Sequence, residues 1–301
     1  MGEPPKSRLI LTAKALGIPG VKLLGRYRYT AARSGLRPHS HGTSLEICLL
    51  AKGCQTYRIG EQIYRLTGGD QFISFPHEVH DTAGAPEERG TLYWLILDIA
   101  SSQKEILFLG EGATAILIAA LRSLPSRYFR ADSNSVETIE RVFCAYKEGD
   151  LLLRKLRTSH WILQYLLQTI AAAKSERGTS VSRKITKALD FIARNNDRWI
   201  SVPAVAAQAE LSVPRFKSRF RAEVGIPPGE FMVRAKIKSA QALLSVSGAS
   251  VTEVAHQLSF SSSQYFATVF KRYTLQTPSE FMTALPKLAT PPKGKCGKVS
   301  G

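Results

Sequence analysis

The chain has 301 residues, 44% hydrophobic and 22% charged, which excludes a disordered polymer and allows two domains with separate cores. Its formal charge of +17 is uneven: residues 183–301 hold 18 Lys+Arg against 7 Asp+Glu, whereas residues 1–182 hold 23 against 17, so the smaller part suits a polyanion such as nucleic acid. The longest apolar run, 113–121, is far short of the roughly 20 residues a membrane span needs, and no signal-like apolar core follows residues 1–8; a cytoplasmic protein without membrane contact is expected.

From residue 20 to residue 99 the chain favours strands: 21–24, 45–50, 55–59, 62–66, 72–75 and 92–97. Turn residues separate them at intervals of roughly ten, the spacing of a sandwich or barrel. Ile59-Gly60-Glu61-Gln62 reads as a tight hairpin, with Gly60 supplying a positive backbone angle. On these strands lie His39, His41, Glu46 and His80, the first two so spaced that a strand points them to one face. Cys48, Cys54, Cys144 and Cys296 form no C-x-x-C pair, so free thiols in a reducing compartment are expected. Cys48 and Cys54 are close enough in sequence to face each other across a turn.

The pattern H-x-H-x4-E-x6-G ending at Gly53, followed by G-D-x5-P-x3-H from Gly69 to His80, resembles the two motifs of the cupin barrel. Glu78 stands where cupins usually carry glycine, and Gly35 lies closer to the first motif than usual. The resemblance implies that His39, His41, Glu46 and His80 either hold a divalent metal, for which three imidazoles and a carboxylate suit Zn, Fe, Mn or Ni, or line a polar mouth for a small-molecule effector. Structural histidines at strand ends are the third reading.

After residue 98 the pattern turns helical. Residues 105–109 and 113–121 read as helical or mixed, and Val136, Ile139, Val142, Phe143 and Tyr146 mark an apolar face over 136–147. Residues 150–174 repeat this with Leu152, Leu156, Ile162, Leu163, Leu166, Leu167 and Ile170, a face for packing on the barrel or for a two-fold homodimer seam. Residues 174–183 are polar and read as a linker.

The back of the chain says nearly the same thing twice, fifty residues apart. Phe216 matches Phe266, Phe220 matches Phe270, Arg221 matches Lys271, Pro228 matches Pro278, Glu230 matches Glu280, Phe231 matches Phe281 and Met232 matches Met282. Each copy reads as a short helix (202–210; 251–258), a break and a second helix carrying the paired phenylalanines, which is the outline of a helix-turn-helix. Ser201 and Ser212 are placed as caps, and residues 231–244 form the helix between the copies.

With about 100° of rotation per residue, the paired phenylalanines share a buried face. The opposite face then offers Pro214, Lys217, Ser218 and Arg221, with Arg215 on its flank, in the first copy and Gln264, Ala267, Thr268 and Lys271 in the second, and Ser212 and Ser263 complete the set of candidate DNA-binding residues. Lys217 can donate to guanine edges, Arg215 and Arg221 can reach guanine or phosphate, Gln264 suits adenine, and Ala267 or Thr268 suits a thymine methyl. The first copy is expected to anchor and the second to discriminate, with both entering double-stranded DNA about one turn, roughly 34 Å, apart.

The stretches LSVPRFKSRFR, RAKIKSAQALL and SVTEVAHQLSFSSSQYFATVFKRYTLQTPSEF closely resemble the DNA-binding domain of AraC-type transcription regulators, and the resemblance covers almost the whole chain. It implies an α+β protein: a cupin-like sensor barrel (1–100), a helical connector available for dimerisation (101–177), a double helix-turn-helix domain (178–285) and a disordered basic tail (286–301). It implies a non-enzymatic regulator sensing a small molecule, sugars being frequent effectors in the family, with RNA polymerase as partner if it activates. Ser259, Leu275 and Met282 depart from the family's usual glycine, glycine and arginine, and Leu275 is costly if its turn needs a positive backbone angle. The rival readings are a cupin-type metalloenzyme with a helical appendage and a nonspecific architectural DNA binder.

Overall fold

The computed structural model describes residues 7–147, 149–175, 181–246 and 249–284. Its front part contains β1 (Arg8–Thr12), β2 (Val21–Tyr29), β3 (Ser44–Ile59), β4 (Gln62–Thr67), β5 (Asp70–Ser74), β6 (His80–Asp81), β7 (Gly90–Asp98) and β8 (Tyr128–Arg130), with one helical turn, α1 (Ala13–Leu16), after β1. The strands pair in the order β1-β2-β7-β3-β5-β8, all antiparallel, and the second half of β3 also carries β4 and β6. The apolar runs 45–50 and 55–59, expected as two strands, are one strand of 16 residues. Its register against β7 slips between Leu50 and Lys52, and Gly53 takes φ 101° where a Cβ would fall 2.4 Å from the Arg89 carbonyl oxygen. The slip leaves Ala51 as the extra residue of a bulge, after which Lys52 and Gly53 pair again with Thr91 and Gly90, so the strand continues through it. The hairpin at Gly60 forms as read, with Ile59 opposite Gln62 and φ 57° at the glycine.

Alternation along β3 and β7 explains why both read as unbroken apolar runs. Leu45, Ile47 and Leu49, with Tyr93, Leu95 and Leu97, face one buried cluster shared with the connector helices. Cys48 and Leu50, with Leu92, Trp94 and Ile96, face a second cluster that includes Tyr27, Tyr57 and Phe72. Strands covered on both faces lose the polar half of the period. Cys48 receives a hydrogen bond from Tyr57 inside the second cluster, while Cys54 packs on the core of the back domain; the two thiols do not face each other.

The connector consists of α2 (Glu111–Arg122), α3 (Ser135–Ala145) and α4 (Leu151–Lys174). Residues 105–109 are not helical: Ile106 bridges Leu109, and Leu107 and Phe108 take φ 56° and 61°. Ile139, Val142, Phe143, Ile162, Tyr165 and Leu166 are buried under the sheet. Glu140 of α3 accepts hydrogen bonds from Tyr93, from Arg26 at 2.8 Å and from Arg28 at 2.7 Å. Burial pushes its carboxyl up, but these donors outweigh burial and hold it below the usual range. Leu152, Leu156 and Leu167 of α4 lie exposed, so only part of the expected apolar face packs on the barrel.

The back domain contains α5 (Arg183–Arg194), α6 (Val202–Gln208), α7 (Val213–Val224), α8 (Pro228–Leu244), α9 (Val251–Gln257), α10 (Ser263–Thr274) and α11 (Pro278–Ala284). The Ser201 hydroxyl accepts from Ala204 N and so caps α6; Ser212 occupies the N-cap of α7 without a side-chain cap bond. Phe216 and Phe220 sit with Ile185, Ile192 and Val205 in one cluster, and Phe266 and Phe270 sit with Ile237, Leu244 and Val254 in another. Helix α8 serves both: Phe231, Met232 and Ala235 pack on the first, Ile237 and Ala240 on the second. Residues 176–180 of the polar stretch 174–183, and the whole tail 286–301, lie outside the described residues.

The second helices of the two repeats, α7 and α10, end alike. Gly225 closes α7 at φ 83° and Leu275 closes α10 at φ 69°, the left-handed region that a side chain enters at a cost of about 1–2 kcal/mol. Leu275→Gly is therefore expected to stabilise the second unit by about 1 kcal/mol, read as a raised denaturation midpoint; an unchanged or lower midpoint would show that burial of the leucine outweighs its backbone.

Candidate functional site

On α7, Pro214, Arg215, Lys217, Ser218 and Arg221 are exposed on the side away from Phe216 and Phe220, and Ser212 is exposed at its N-cap. Among the described residues, Arg215, Lys217 and Arg221 make no ion pair. Arg219, by contrast, is tied to Glu223 at 2.6 Å, and Glu223 also accepts from Ser182, which fastens the flank of α7 to the start of α5. On α10, Gln264, Thr268 and Lys271 are exposed and Ser263 and Ala267 are half-buried. The Ser262 hydroxyl accepts from Tyr265 N, and the Thr268 hydroxyl donates to the Gln264 carbonyl at 3.0 Å. That bond keeps the Thr268 hydroxyl within its own helix. The two exposed faces thus differ in charge as their sequences do, cationic on α7 and largely neutral on α10.

The second group of expected site residues converges in the front domain. His39 and His80 exchange backbone hydrogen bonds at 3.1 and 2.9 Å. The ring centroids of His39, His41 and His80 lie 4.4–5.3 Å apart, and one nitrogen from each falls within 4.8 Å of the others. His39 Nδ1 is 2.8 Å from the Arg37 carbonyl and His80 Nδ1 is 3.3 Å from the Glu78 carbonyl. A carbonyl beside Nδ1 favours the tautomer whose Nε2 carries the free lone pair, as a metal-ligating imidazole requires. His41 Nε2 and His80 Nε2 are buried without a hydrogen-bond partner among the described residues. Glu46 Oε2 lies 3.5 and 3.0 Å from them, a close charge contact off the hydrogen-bonding direction.

Burial pushes the Glu46 carboxyl up, yet the two imidazoles overcome it and bring it down to about 2. Burial likewise pushes the His80 ring down, and Glu46 reverses this, raising it above its ordinary value. Three convergent imidazoles, two unpartnered ring nitrogens and one adjacent carboxylate fit a borderline-soft divalent ion. An ion there would compete with the proton that Glu46 favours on His80, so binding would release protons.

Sequence reasoning did not reach the seam between barrel and reading units. The backbones of Gly68 and Gly225 touch, so that a Cβ on Gly68 would lie 2.2 Å from the Gly225 carbonyl oxygen. Arg130 bonds Asp70 at 3.0 Å and donates to the Ala222 carbonyl at 2.5 Å. Glu88 pairs with Arg234 of α8, Arg89 donates to the Tyr273 hydroxyl at 3.4 Å, and Ala32 N donates to the Arg272 carbonyl at 3.1 Å. Two cavities open along this seam. One, of about 250 Å³, is bordered by Arg28, Lys52, Arg89 and Glu230; the other, of about 400 Å³, by Gly69, Arg130, Ser218 and Arg221. The only sequence signals for the seam were glycines that also read as turns.

Comparison with known proteins agrees with this division. Residues 24–108 match the family model described as AraC-like ligand binding domain, and residues 205–284 match the helix-turn-helix domain model. The chain is similar to the HTH-type transcriptional activator RhaS of Escherichia coli, at 23% identity over 239 residues covering 78% of this chain and 84% of the relative. It is also similar to the activator RhaR of Salmonella schwarzengrund, at 30% identity over 103 residues covering 34% and 36%. A RhaS of Yersinia pestis matches at 24% over 123 residues, covering 41% of this chain and 45% of the relative, so that alignment spans about half of the relative's length. With an AraC-like ligand binding domain in front and a doubled helix-turn-helix behind, the chain belongs to the AraC-type family of transcription regulators.

Proposed function

We propose that the protein is a cytoplasmic, sequence-specific DNA-binding regulator of transcription whose barrel senses a small molecule. The observation that carries this is the pair of exposed reading faces, one cationic and one neutral, joined by a single helix that belongs to both cores. Residues Ser212, Pro214, Arg215, Lys217, Ser218 and Arg221 would meet one major-groove face and Ser263, Gln264, Ala267, Thr268 and Lys271 the next. In an activator, RNA polymerase is the further partner. The full-length protein is expected to prefer fragments from upstream of its target genes over scrambled DNA at about 150 mM salt, where phosphate attraction is partly screened. Equal affinity for all sequences would leave only nonspecific binding.

In the barrel, His39, His41, Glu46 and His80 would hold a divalent ion or the polar group of an effector. A bound ion would supply a Lewis-acidic position that an effector oxygen or nitrogen could occupy.

The exposed leucines of α4 support a homodimer, because an apolar stripe on an otherwise packed helix suits a second copy of itself. Leu152→Glu with Leu156→Glu is expected to convert the dimer to a monomer in light scattering. It should also lower affinity for a two-site DNA at least tenfold by removing the second attachment. A dimer that survives both charges would move the interface elsewhere.

A further inference from the structure

Two segments leave the histidine cluster side by side and end at the reading units. One runs from His39 back to Ala32, the other from His80 forward to Arg89. They are joined at the cluster by the His39–His80 backbone pair and further along by Arg33 N donating to the Glu87 carbonyl at 2.8 Å. Between these rungs the backbones touch: a Cβ on Gly35 would lie 2.1 Å from the Ala85 carbonyl oxygen and 2.3 Å from Thr82 Oγ1. The second segment is fixed internally as well. Asp81 pairs with Arg58, Thr82 Oγ1 donates to the Ala85 carbonyl at 2.6 Å, and Glu88 N donates to Gln55 Oε1 at 3.3 Å.

The far end of this ladder is the grip on the back domain. Ala32 N reaches the Arg272 carbonyl, Glu88 reaches Arg234 and Arg89 reaches Tyr273. The Arg234 guanidinium also lies over the Tyr273 ring, 5.1 Å from its centroid. The grip therefore falls on the last turn of α10 and on the middle of α8, the helix shared by both units. Seven or eight extended residues span at most about 25 Å, so the cluster and the grip are within one short, braced lever of each other.

A ligand moves such a lever only if it prefers one arrangement of its own site. The three imidazole nitrogens lie within 4.8 Å of one another. A tetrahedral ion at 2.0–2.1 Å from each would hold them roughly 3.3 Å apart, so ligation favours a tightened cluster. His39 and His80 carry the first rung of the ladder, and tightening them shifts its origin.

We propose that a divalent first-row transition ion bound by His39, His41 and His80, with Glu46 beside them, is itself the signal, transmitted along 32–39 and 80–89 to the contacts on Arg234, Arg272 and Tyr273. The proposal rests on the ligand reading of the histidine cluster given above, and makes this a metal-responsive regulator.

The test uses full-length protein stripped with a chelator and reloaded with Co(II) or Zn(II). Visible Co(II) bands and elemental analysis should report one ion per chain, lost in His80→Ala and in His39→Ala, whose half-buried side chain makes it a safer change for folding than the fully buried His80. Amide hydrogen exchange should then change on loading at 82–89 and at the end of α10. Affinity for the preferred DNA should shift about tenfold, a typical allosteric coupling. In Glu88→Gln with Arg89→Gln, which leaves the ligands in place, the ion should still bind, but the exchange change at α10 should vanish and the affinity shift should fall below twofold. One ion bound with no exchange change beyond the cluster overturns the relay and leaves the ligand reading intact. No bound ion overturns both and leaves DNA recognition untouched. A chain that shows the exchange change but no DNA preference supports the relay while removing the regulator reading.

Discussion

Phe220→Ala is expected to destabilise the first helix-turn-helix unit by about 3–5 kcal/mol, a large share of the about 5–15 kcal/mol that holds a whole domain folded. Phe220 is fully buried and meets Phe216 and Phe231 edge-on, with ring centroids 5.3 and 5.6 Å away. Those rings cannot follow a truncated side chain, so the loss combines the transfer term with a cavity. Fifty residues later Phe270 meets Phe266 and Phe281, each at 5.6 Å, and Phe270→Ala is expected to cost the second unit the same. Hydrogen exchange separates the two: Phe220→Ala should expose α5–α7 and the first half of α8 while α9–α11 keep most of their protection, and Phe270→Ala should do the reverse. Simultaneous loss of both units in either variant would show that α8 makes them one cooperative core.

This doubling was legible in the sequence because a buried aromatic has few substitutes, so the offset of fifty carries directly into the packing. The two-sided strands were legible for a related reason, since only coverage on both faces permits runs such as Leu45–Leu50 and Leu92–Leu97. The division of β3 into two strands failed at 51–54, where Lys52 and Gly53 interrupt the apolar run although a bulge at Ala51 lets the pairing resume. β1 and β8 escaped notice because five and three residues at the margin of a sheet carry too short a period to detect. Residues 105–109 failed because Leu107 and Phe108 take positive φ, which no apolar pattern announces.

The histidine group was visible as residue types at suggestive spacing, but its completeness was not. His39 and His80 meet through a backbone pair that depends on the path of the intervening strands, and the carbonyls of Arg37 and Glu78 that orient two of the rings are invisible to sequence. The seam was less legible still. Arg89 and Tyr273 are 184 positions apart, and an arginine on a loop reads as a solvated charge until a partner from another domain is placed against it.

The triple change Arg215→Ala, Lys217→Ala and Arg221→Ala is expected to weaken the preferred DNA about a hundredfold at 0.15 M salt. Each phosphate contact contributes a slope of about 0.9 in log K against log salt, which at that concentration amounts to roughly 0.7 decade per contact. Three contacts therefore give about two decades, and the slope itself should fall by up to about 3. Because phosphates carry no sequence, the ratio between preferred and scrambled DNA should stay nearly constant in this variant. Gln264→Ala should behave in the opposite manner: little change in salt slope, and about 1–3 kcal/mol lost at a single base pair. If the triple variant instead loses discrimination at unchanged slope, the cations of α7 read guanine edges rather than phosphates. The first unit would then be the discriminating one, and the neutral face of α10 would be left to follow it into the next groove.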